Sequence, residues 1–349
     1  MDLKKENNNI FNRVSHDNNM NVVRYYLSLC VLIAHTSVLT GLDIPWIQRG
    51  VVDVGCFFAI SGFLMFPSFQ KRDSLKHYIS RRAKRILPPY ILIVLLCAFS
   101  FVLISDLSPK DYFMSSGFWK YLGANLCFVN FVHPSLPGVF EGPDFVTSAV
   151  NGSLWTMKGE WVCYLSVPSI YFLLKKRPQF AGIILIIIFI ILLGIRLVFL
   201  NLAIKYNSEI YSIIAKQFGT LLVFFYLGAI INHYYPLFLK AKWWILAFDG
   251  LILMFSDSIS YYDVVLQPIV AGTLVIWFSM IGKWGVKLSR HDSVSYDIYL
   301  YHFPVIQLCI YWGLPQKISP TLVLLTVIGI TVPFAFLSWN LIGKRFKSK

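Results

Sequence analysis

Charged residues are scarce in this chain: Asp, Glu, Lys and Arg make up 14% of its 349 residues, whereas 57% are hydrophobic. That composition is too apolar for an ordinary soluble protein. Long uncharged segments recur along the whole length, so the sequence predicts an all-α fold, a polytopic bundle of transmembrane helices. We place ten spans at 22–41, 51–69, 87–105, 154–174, 180–201, 211–232, 243–256, 264–282, 294–313 and 320–342.

Several signatures of soluble enzymes and metal sites are also missing. The six cysteines are scattered without a CxxC pair, and the sequence has no HExxH motif or His/Cys cluster. A disulfide framework or a metal site is therefore not expected. Without a GxSxG elbow or a Gly-rich phosphate loop, a soluble-type hydrolase or kinase is disfavoured. No internal repeat is visible either, whereas inverted repeats would have indicated a secondary transporter.

The formal net charge of +14 reflects membrane topology better than a nucleic-acid partner. Most Lys and Arg residues lie in or beside the N-terminal tail, the even-numbered connections and the C-terminal tail. This positive-inside pattern predicts that both termini are cytoplasmic. The predicted division is a cytoplasmic tail (1–21), a membrane domain (22–342) and a second cytoplasmic tail (343–349), with no nucleic-acid partner.

The first span carries two ionisable residues, Arg24 and His35, eleven positions apart. At about 100° and 1.5 Å per residue they share one helix face and are separated by roughly 16 Å, too far for direct contact. A histidine at mid-depth can accept a proton from a hydroxyl, and the arginine can bind a phosphate or carboxylate. The alternative is an interfacial arginine and a histidine used only for packing.

A second group of cations lies between spans two and three, in QKRDSLKHYISRRAKRILPPY. Arg82 and Arg85 are three positions apart, so a helix places them on one face. Two guanidinium forks at the membrane surface suit a ligand with several phosphates. The alternative is a topogenic basic loop that is attracted to anionic lipid.

Two more segments place polar side chains at the edge of the membrane or within it. In VNGSLWTMKGEWVCYL, Trp155 marks an interface, and Glu160 is costly unless it is paired or used. Its candidate partners are His35 and acceptor hydroxyls, and the alternative is an interaction with Lys158 or with the helix start. In SVSYDIYLYHFPVIQ, Tyr299 and His302 lie on one helix face, and Pro304 frees a backbone carbonyl nearby. Here the alternative is a polar packing seam.

Two features concern packing and access. The outer connection 106–153 is long enough to be a functional lid, although it could equally be a cap that covers the bundle. Ser61 and Gly62 form a small-residue notch, for which close helix approach is a better interpretation than chemistry.

Taken in order, these segments resemble the acyltransferase 3 family of membrane-bound acyltransferases, and most closely the branch that O-acetylates polysaccharides. The resemblance covers roughly residues 20–340. It rests on NNMNVVRYYLSLCVLIAHTS with its Arg-x10-His pattern, FFAISGFLM, the RxxR-like RAKR before ILPPY, VNGSLWTMKGEW and SYDIYLYHFP.

The resemblance implies a ten-helix enzyme of the inner (plasma) membrane that moves an acyl group, typically acetyl, from cytoplasmic acyl-CoA to a sugar hydroxyl. No permanently bound cofactor is expected; acetyl-CoA is a co-substrate. The other expected partners are a polysaccharide or lipid-linked sugar and membrane lipid, and a homo-oligomer is left open. The expected site residues are catalytic His35 and Glu160, acyl-CoA-binding Arg24, Arg82 and Arg85, and substrate-binding Trp155, Tyr299 and His302. Whether His35 is the general base or carries the acyl group is left open.

Two departures limit what is carried over. Where the family often has an acid two positions before the Phe-Phe pair, this chain has Gly55, and the nearest acid is Asp53. The C-terminal LIGKRFKSK lacks the glutamate that relatives often carry. Two rival functions remain: a proton-coupled transporter or flippase for a lipid-linked or charged solute, and a non-catalytic scaffold, which would leave the ionisable stripe unexplained.

Overall fold

A computed structural model describes residues 9–44, 50–71, 74–289 and 294–346. The outermost parts of both predicted tails, residues 1–8 and 347–349, lie outside this range. Helices account for 80% of the structure, and the described residues form no strand. The α-helices are α1 (Met20–Thr40), α2 (Gly50–Gln70), α3 (Leu75–Ser100), α4 (Pro109–Met114), α5 (Ser116–Leu126), α6 (Thr156–Lys176), α7 (Ala181–Tyr206), α8 (Glu209–Ile214), α9 (Leu221–His233), α10 (Tyr235–Met254), α11 (Gln267–Met280), α12 (Val286–Ser289), α13 (Ser295–Tyr311), α14 (Leu314–Lys317), α15 (Pro320–Ser338) and α16 (Lys344–Phe346).

The helices agree with the predicted membrane spans, each of which overlaps one of them. Among the described residues, seven helical segments are long and apolar enough to cross a membrane: Met20–Thr40, Gly50–Gln70, Leu75–Leu103, Pro178–Tyr206, Glu209–His233, Tyr262–Met280 and Pro320–Phe346. The other three predicted spans coincide with α6, α10 and α13. The all-helical, multi-pass architecture is therefore confirmed, whereas the number ten, the cytoplasmic termini and the domain limits stay predictions.

The chain forms two compact units. The first consists of the described residues of 1–27, 51–79 and 159–292, and the second of those of 28–50, 80–158 and 293–346. Helix α1 contributes residues to both units, with Arg24 in the first and His35 in the second.

The described part of the predicted N-terminal tail is packed into the first unit. Phe11 is 1% exposed, and its ring centroid lies 4.7 Å from that of Phe66 on α2. The amide nitrogen of Asn12 donates to the side-chain oxygen of Asn232 over 2.9 Å. The polar composition of this segment led to the prediction that residues 1–21 form a tail, and it gave no sign of this packing.

Glycines set the approach of α2 and α9 in the first unit. A Cβ atom at Gly62 would lie 1.7 Å from the carbonyl oxygen of Phe225, and one at Gly228 would lie 2.0 Å from that of Ala59. The two backbones are therefore in direct contact, as small residues permit in membranes. The interpretation of the Ser61-Gly62 notch as a packing feature is confirmed.

Helix α13 is the most enclosed helix of the second unit. Fourteen of its seventeen residues are buried, and α15 packs along it. A helix that is buried on nearly every side must satisfy its polar groups with protein partners. The polar residues of α13 are therefore held by specific neighbours.

The outer connection 106–153 is an ordered part of the second unit. Ser108 caps α4 by accepting from the amide of Asp111, with Pro109 following at the first helical position. The hydroxyl of Tyr112 donates to the carbonyl of Ala98, and that of Tyr90 donates to the carbonyl of Asn125. Burial and the nearby Cys97 raise the pKa of Tyr112, so its hydroxyl stays protonated and remains a donor. These anchors favour the cap interpretation of this connection.

Candidate active site

Two histidines from distant parts of the chain meet in the second unit. The Nδ1 atom of His35 on α1 lies 2.7 Å from the Nε2 atom of His302 on α13. The ring planes differ by 8°, and the centroids are 5.0 Å apart. The separation of the centroids equals the nitrogen–nitrogen distance plus, for each ring, the distance from the centroid to its own nitrogen atom. The rings therefore lie edge to edge in nearly one plane, the geometry of a well-aligned hydrogen bond.

The two rings differ in exposure. His302 has no exposed surface, whereas His35 is half-buried. Phe303 presents its ring edge-on to His35 at 5.6 Å, and Tyr299 packs against His302 at 5.7 Å between centroids. Because His302 has no exposed surface, a ligand can contact the pair only at the ring of His35.

A proline opens α13 beside the histidine pair. Pro304 has no amide hydrogen, so the carbonyl of Leu300, four residues earlier, loses its helical partner. The side-chain amide of Asn151 donates to that carbonyl over 2.8 Å, and the hydroxyl of Ser153 donates to the carbonyl of Tyr299 over 3.2 Å. The freed carbonyl expected from the sequence is present, and its partner is the Asn-Gly-Ser sequence.

The glycine of that sequence is required by close packing. A Cβ atom at Gly152 would lie 2.7 Å from the ring of Phe303, the same ring that contacts His35. Further along, the side-chain amide of Gln307 donates to the carbonyls of Thr147 and Ala149. The last residues of the outer connection are therefore fixed to α13 along the turns that carry His302 and Phe303.

Removing the Asn151 amide should loosen this attachment. In Asn151→Ala the Leu300 carbonyl loses its donor at a buried position, which costs about 1–3 kcal/mol of stability. We expect a lower thermal midpoint in detergent, measured by fluorescence-detected size exclusion. Ser135→Ala, which removes only a part-buried contact between the hydroxyls of Ser135 and Ser148, should change the midpoint far less. Equal shifts in the two variants would contradict the importance of this contact.

Tyr299 is held by the turn that contains Trp155. Its hydroxyl donates to the carbonyl of Ser153 over 2.8 Å and lies 3.0 Å from the hydroxyl of Thr156. Trp155 itself is half-buried at the end of the 3₁₀ turn Gly152–Trp155. The structure thus brings His35, Trp155, Tyr299 and His302 into one unit, with Tyr299 fully engaged in protein contacts.

The predicted arginine pair belongs to the same unit, at the N-terminal part of α3. Arg82 is half-buried and Arg85 is exposed. The hydroxyl of Tyr296 donates to the carbonyl of Ile86 over 3.3 Å, which joins this part of α3 to the start of α13. Arg85 interacts electrostatically with Asp297 on α13, and the hydroxyl of Ser338 donates to the same carboxylate over 2.8 Å.

Arg24 and Glu160 lie in the first unit. Arg24 is half-buried on α1, eleven residues before His35 on the same helix. Glu160 on α6 accepts a hydrogen bond from the hydroxyl of Tyr164, one turn further along. A role for either residue beside the histidine pair stays a prediction. Lys158, which was given above as the alternative partner of Glu160, places its Nζ 3.8 Å from the ring centroid of Phe131.

Two features of the site were missed by the sequence reasoning. The first is the direct bond between His35 and His302, since His302 was expected only to bind the substrate. The second is the contact of Asn151 and Ser153 with α13. The sequence did contain a signal for this contact. Pro304 predicts an unpaired carbonyl at Leu300, and the polar sequence Asn-Gly-Ser can supply a donor for it.

These features define a multi-pass helical membrane protein with a hydrogen-bonded histidine pair and an arginine-bearing helix in the same unit. The family model described as an acyltransferase domain matches residues 17–340. The chain therefore belongs to the acyltransferase 3 family, and it is an acyltransferase.

Named relatives agree with this family. The O-acetyl transferase of Shigella phage Sf6 is 26% identical, over 95% of this chain and 96% of the relative. Nodulation protein 10 of Rhizobium leguminosarum bv. viciae is 23% identical, over 94% of this chain and 92% of the relative. A protein of Staphylococcus aureus (strain COL), provisionally named an O-acetyltransferase, is 27% identical over 89% of this chain, which spans 55% of that protein. No solved structure matches the chain significantly.

Proposed function

We propose that this protein is an O-acetyltransferase of the inner membrane. It moves an acetyl group from cytoplasmic acetyl-CoA to a hydroxyl of a cell-surface or lipid-linked polysaccharide. The observation that carries the proposal is the hydrogen-bonded pair of His35 and His302, with the ring of His35 half-buried, in a chain of the acyltransferase 3 family. The names of the phage and staphylococcal relatives support the O-acetyl specificity.

His35 acts as the general base in this proposal. It takes the proton of the acceptor hydroxyl while that oxygen attacks the thioester carbonyl of acetyl-CoA. The tetrahedral intermediate then collapses, the carbon–sulfur bond breaks, and the thiolate of CoA takes the proton back from His35. The products are the acetyl ester and CoA.

Arg82 and Arg85 bind the phosphates of acetyl-CoA at the cytoplasmic surface. Two guanidinium groups one helical turn apart provide paired donors for such a ligand. The contact of this part of α3 with Tyr296, at the start of α13, supports the arrangement. Along α13, His302 lies five residues beyond Asp297, which is about 7.5 Å of helical rise.

Neutralising Arg82 should weaken donor binding without changing the chemical step. We expect Arg82→Ala to raise the KM for acetyl-CoA about tenfold or more with kcat changed little, because its contacts are remote from the reacting carbonyl. Lys84→Ala removes an equal charge from the same segment at an exposed position, and it should change KM by less than about twofold. Similar KM values in the two variants would show that only overall charge matters here.

Trp155 and Tyr299 serve the acceptor in this proposal. The indole of Trp155 offers a flat apolar surface at the membrane interface. The hydroxyl of Tyr299 is hydrogen-bonded to Ser153 and Thr156. In this proposal Tyr299 therefore shapes the acceptor site with its ring and forms no hydrogen bond to the sugar.

The proposed function is tested with purified protein in lipid nanodiscs and radiolabelled acetyl-CoA. Transfer of label to a glycan acceptor, together with alkali-labile acetate on surface glycan only in cells that make the protein, is the expected result. Proton-coupled uptake of a charged solute without any acetyl transfer would favour the transporter instead.

A further inference from the structure

The hydrogen bonds of His302 identify which of its ring nitrogens carries the proton. Its Nδ1 atom lies 3.2 Å from the carbonyl oxygen of Ile298, one turn earlier on α13. A carbonyl oxygen has no hydrogen, so Nδ1 must be the donor in this bond. His302 is fully buried, where a charged ring is costly. In the neutral ring, Nε2 is therefore an acceptor.

The proton position on His35 follows from that of its partner. His35 Nδ1 lies 2.7 Å from the His302 Nε2 atom that must accept, so His35 Nδ1 carries the hydrogen. The 8° angle between the rings places the donor and the lone pair in one plane, which favours this bond. The neutral His35 ring then has its lone pair on Nε2. Within the described part of the chain, that atom has no hydrogen-bond partner.

We infer that His302 is a positioning residue that fixes His35 in the Nδ1–H tautomer, so that Nε2 of His35 is the reactive nitrogen. The inference rests on the proposed function for its catalytic meaning, and on the Ile298–His302–His35 bonds for its geometry. It assigns His302 to the support of the base, in place of the substrate-lining role expected from the sequence.

The same chain of bonds stabilises the base after it has reacted. When Nε2 of His35 takes the proton of the acceptor hydroxyl, His35 becomes an imidazolium whose Nδ1–H still points at the His302 lone pair. A hydrogen bond from a charged donor is about twice as strong as a neutral one. The bond between the histidines therefore strengthens as charge develops, which favours the transition state over the ground state.

The tautomer itself can be measured without any assay of activity. Protein with ¹⁵N-labelled histidine rings, reconstituted in lipid bilayers, is compared with its His35→Gln variant by solid-state NMR, and the difference spectrum isolates the signals of His35 and its partner. We expect a protonated Nδ1 and an unprotonated Nε2 for His35. A protonated Nε2 on His35 in the wild-type protein would overturn the inference, whatever the protein acetylates.

Two variants of His302 test the consequence for the reaction. His302→Leu removes the acceptor, so kcat should fall by about tenfold or more while the KM for acetyl-CoA stays within about twofold, because the donor site is untouched. His302→Gln can place a carbonyl oxygen near the former Nε2 position and should recover a substantial part of kcat.

The outcomes of these measurements are distinct. Wild-type kcat in His302→Leu would overturn the inference, and so would equal kcat values in the two variants. If neither variant accumulates in the membrane, the NMR result on the wild-type protein decides. If the wild-type protein has the expected tautomer but transfers no acetyl group, the proposed function fails while the assignment of the proton stands.

Discussion

His35→Ala should abolish glycan acetylation while the amount of protein in the membrane stays normal. A general base contributes about 10²–10⁴-fold to a rate, and the alanine variant has no nitrogen in its place. The readouts are alkali-labile acetate on surface glycan and label transfer from acetyl-CoA. His35 is half-buried, and His302 is its one described side-chain hydrogen-bond partner. Its removal leaves the buried His302 without a donor, which costs about 1–3 kcal/mol of stability, so acetylation is compared at equal protein level.

His16→Ala is the matched control for this experiment. It makes the same chemical change at an exposed position in the first unit, and acetylation should stay within about twofold of wild type. Near-normal ester content in His35→Ala, at equal protein level, would remove His35 from the mechanism.

Gly62→Ala should strongly destabilise the first unit. The added Cβ would lie 1.7 Å from the Phe225 carbonyl oxygen and 2.6 Å from its carbonyl carbon. Backbone atoms cannot rotate away as a side chain can, so α2 and α9 must separate. We expect a loss of about 3 kcal/mol or more, the upper end of the usual cost of overpacking, seen as poor accumulation and a low thermal midpoint in detergent.

Gly194→Ala is the control for the effect of alanine in a membrane helix. Gly194 lies in α7, and no heavy atom would lie within 4 Å of an added Cβ. Alanine is favoured over glycine in helices by up to about 1 kcal/mol, so stability should be unchanged or slightly higher. A Gly62→Ala protein as stable as Gly194→Ala would contradict the close approach of the two helices.

Much of the architecture could be predicted because its signals are local. The length and apolar character of a segment determine whether it can span a bilayer, and the helices of the structure overlap each predicted span. Arg82 and Arg85 lie on the same helix, and they share one face because three residues make nearly one turn. The freed carbonyl at Leu300 likewise follows from Pro304 alone, since proline has no amide hydrogen.

The packed N-terminal segment was not predictable in the same way. Phe11 and Asn12 belong to a polar, Asn-rich sequence without helical periodicity, and their burial depends on the shape of the surface formed by α2 and α9. The ordered cap on the second unit is similar. Its anchors are single bonds, such as that from Tyr112 to Ala98, which leave no repeating pattern in the sequence.

By itself, the sequence determined the membrane class, the approximate spans, the family resemblance and the candidate residues His35, Arg82 and Arg85. Only the tertiary structure decided that His35 meets His302, 267 residues away, and that Asn151 fills the gap left by Pro304. The physical reason is one of range. Hydropathy and helical period depend on neighbouring residues, whereas a bond between two rings depends on the depth and rotation of separate helices, which are set by packing of the whole unit.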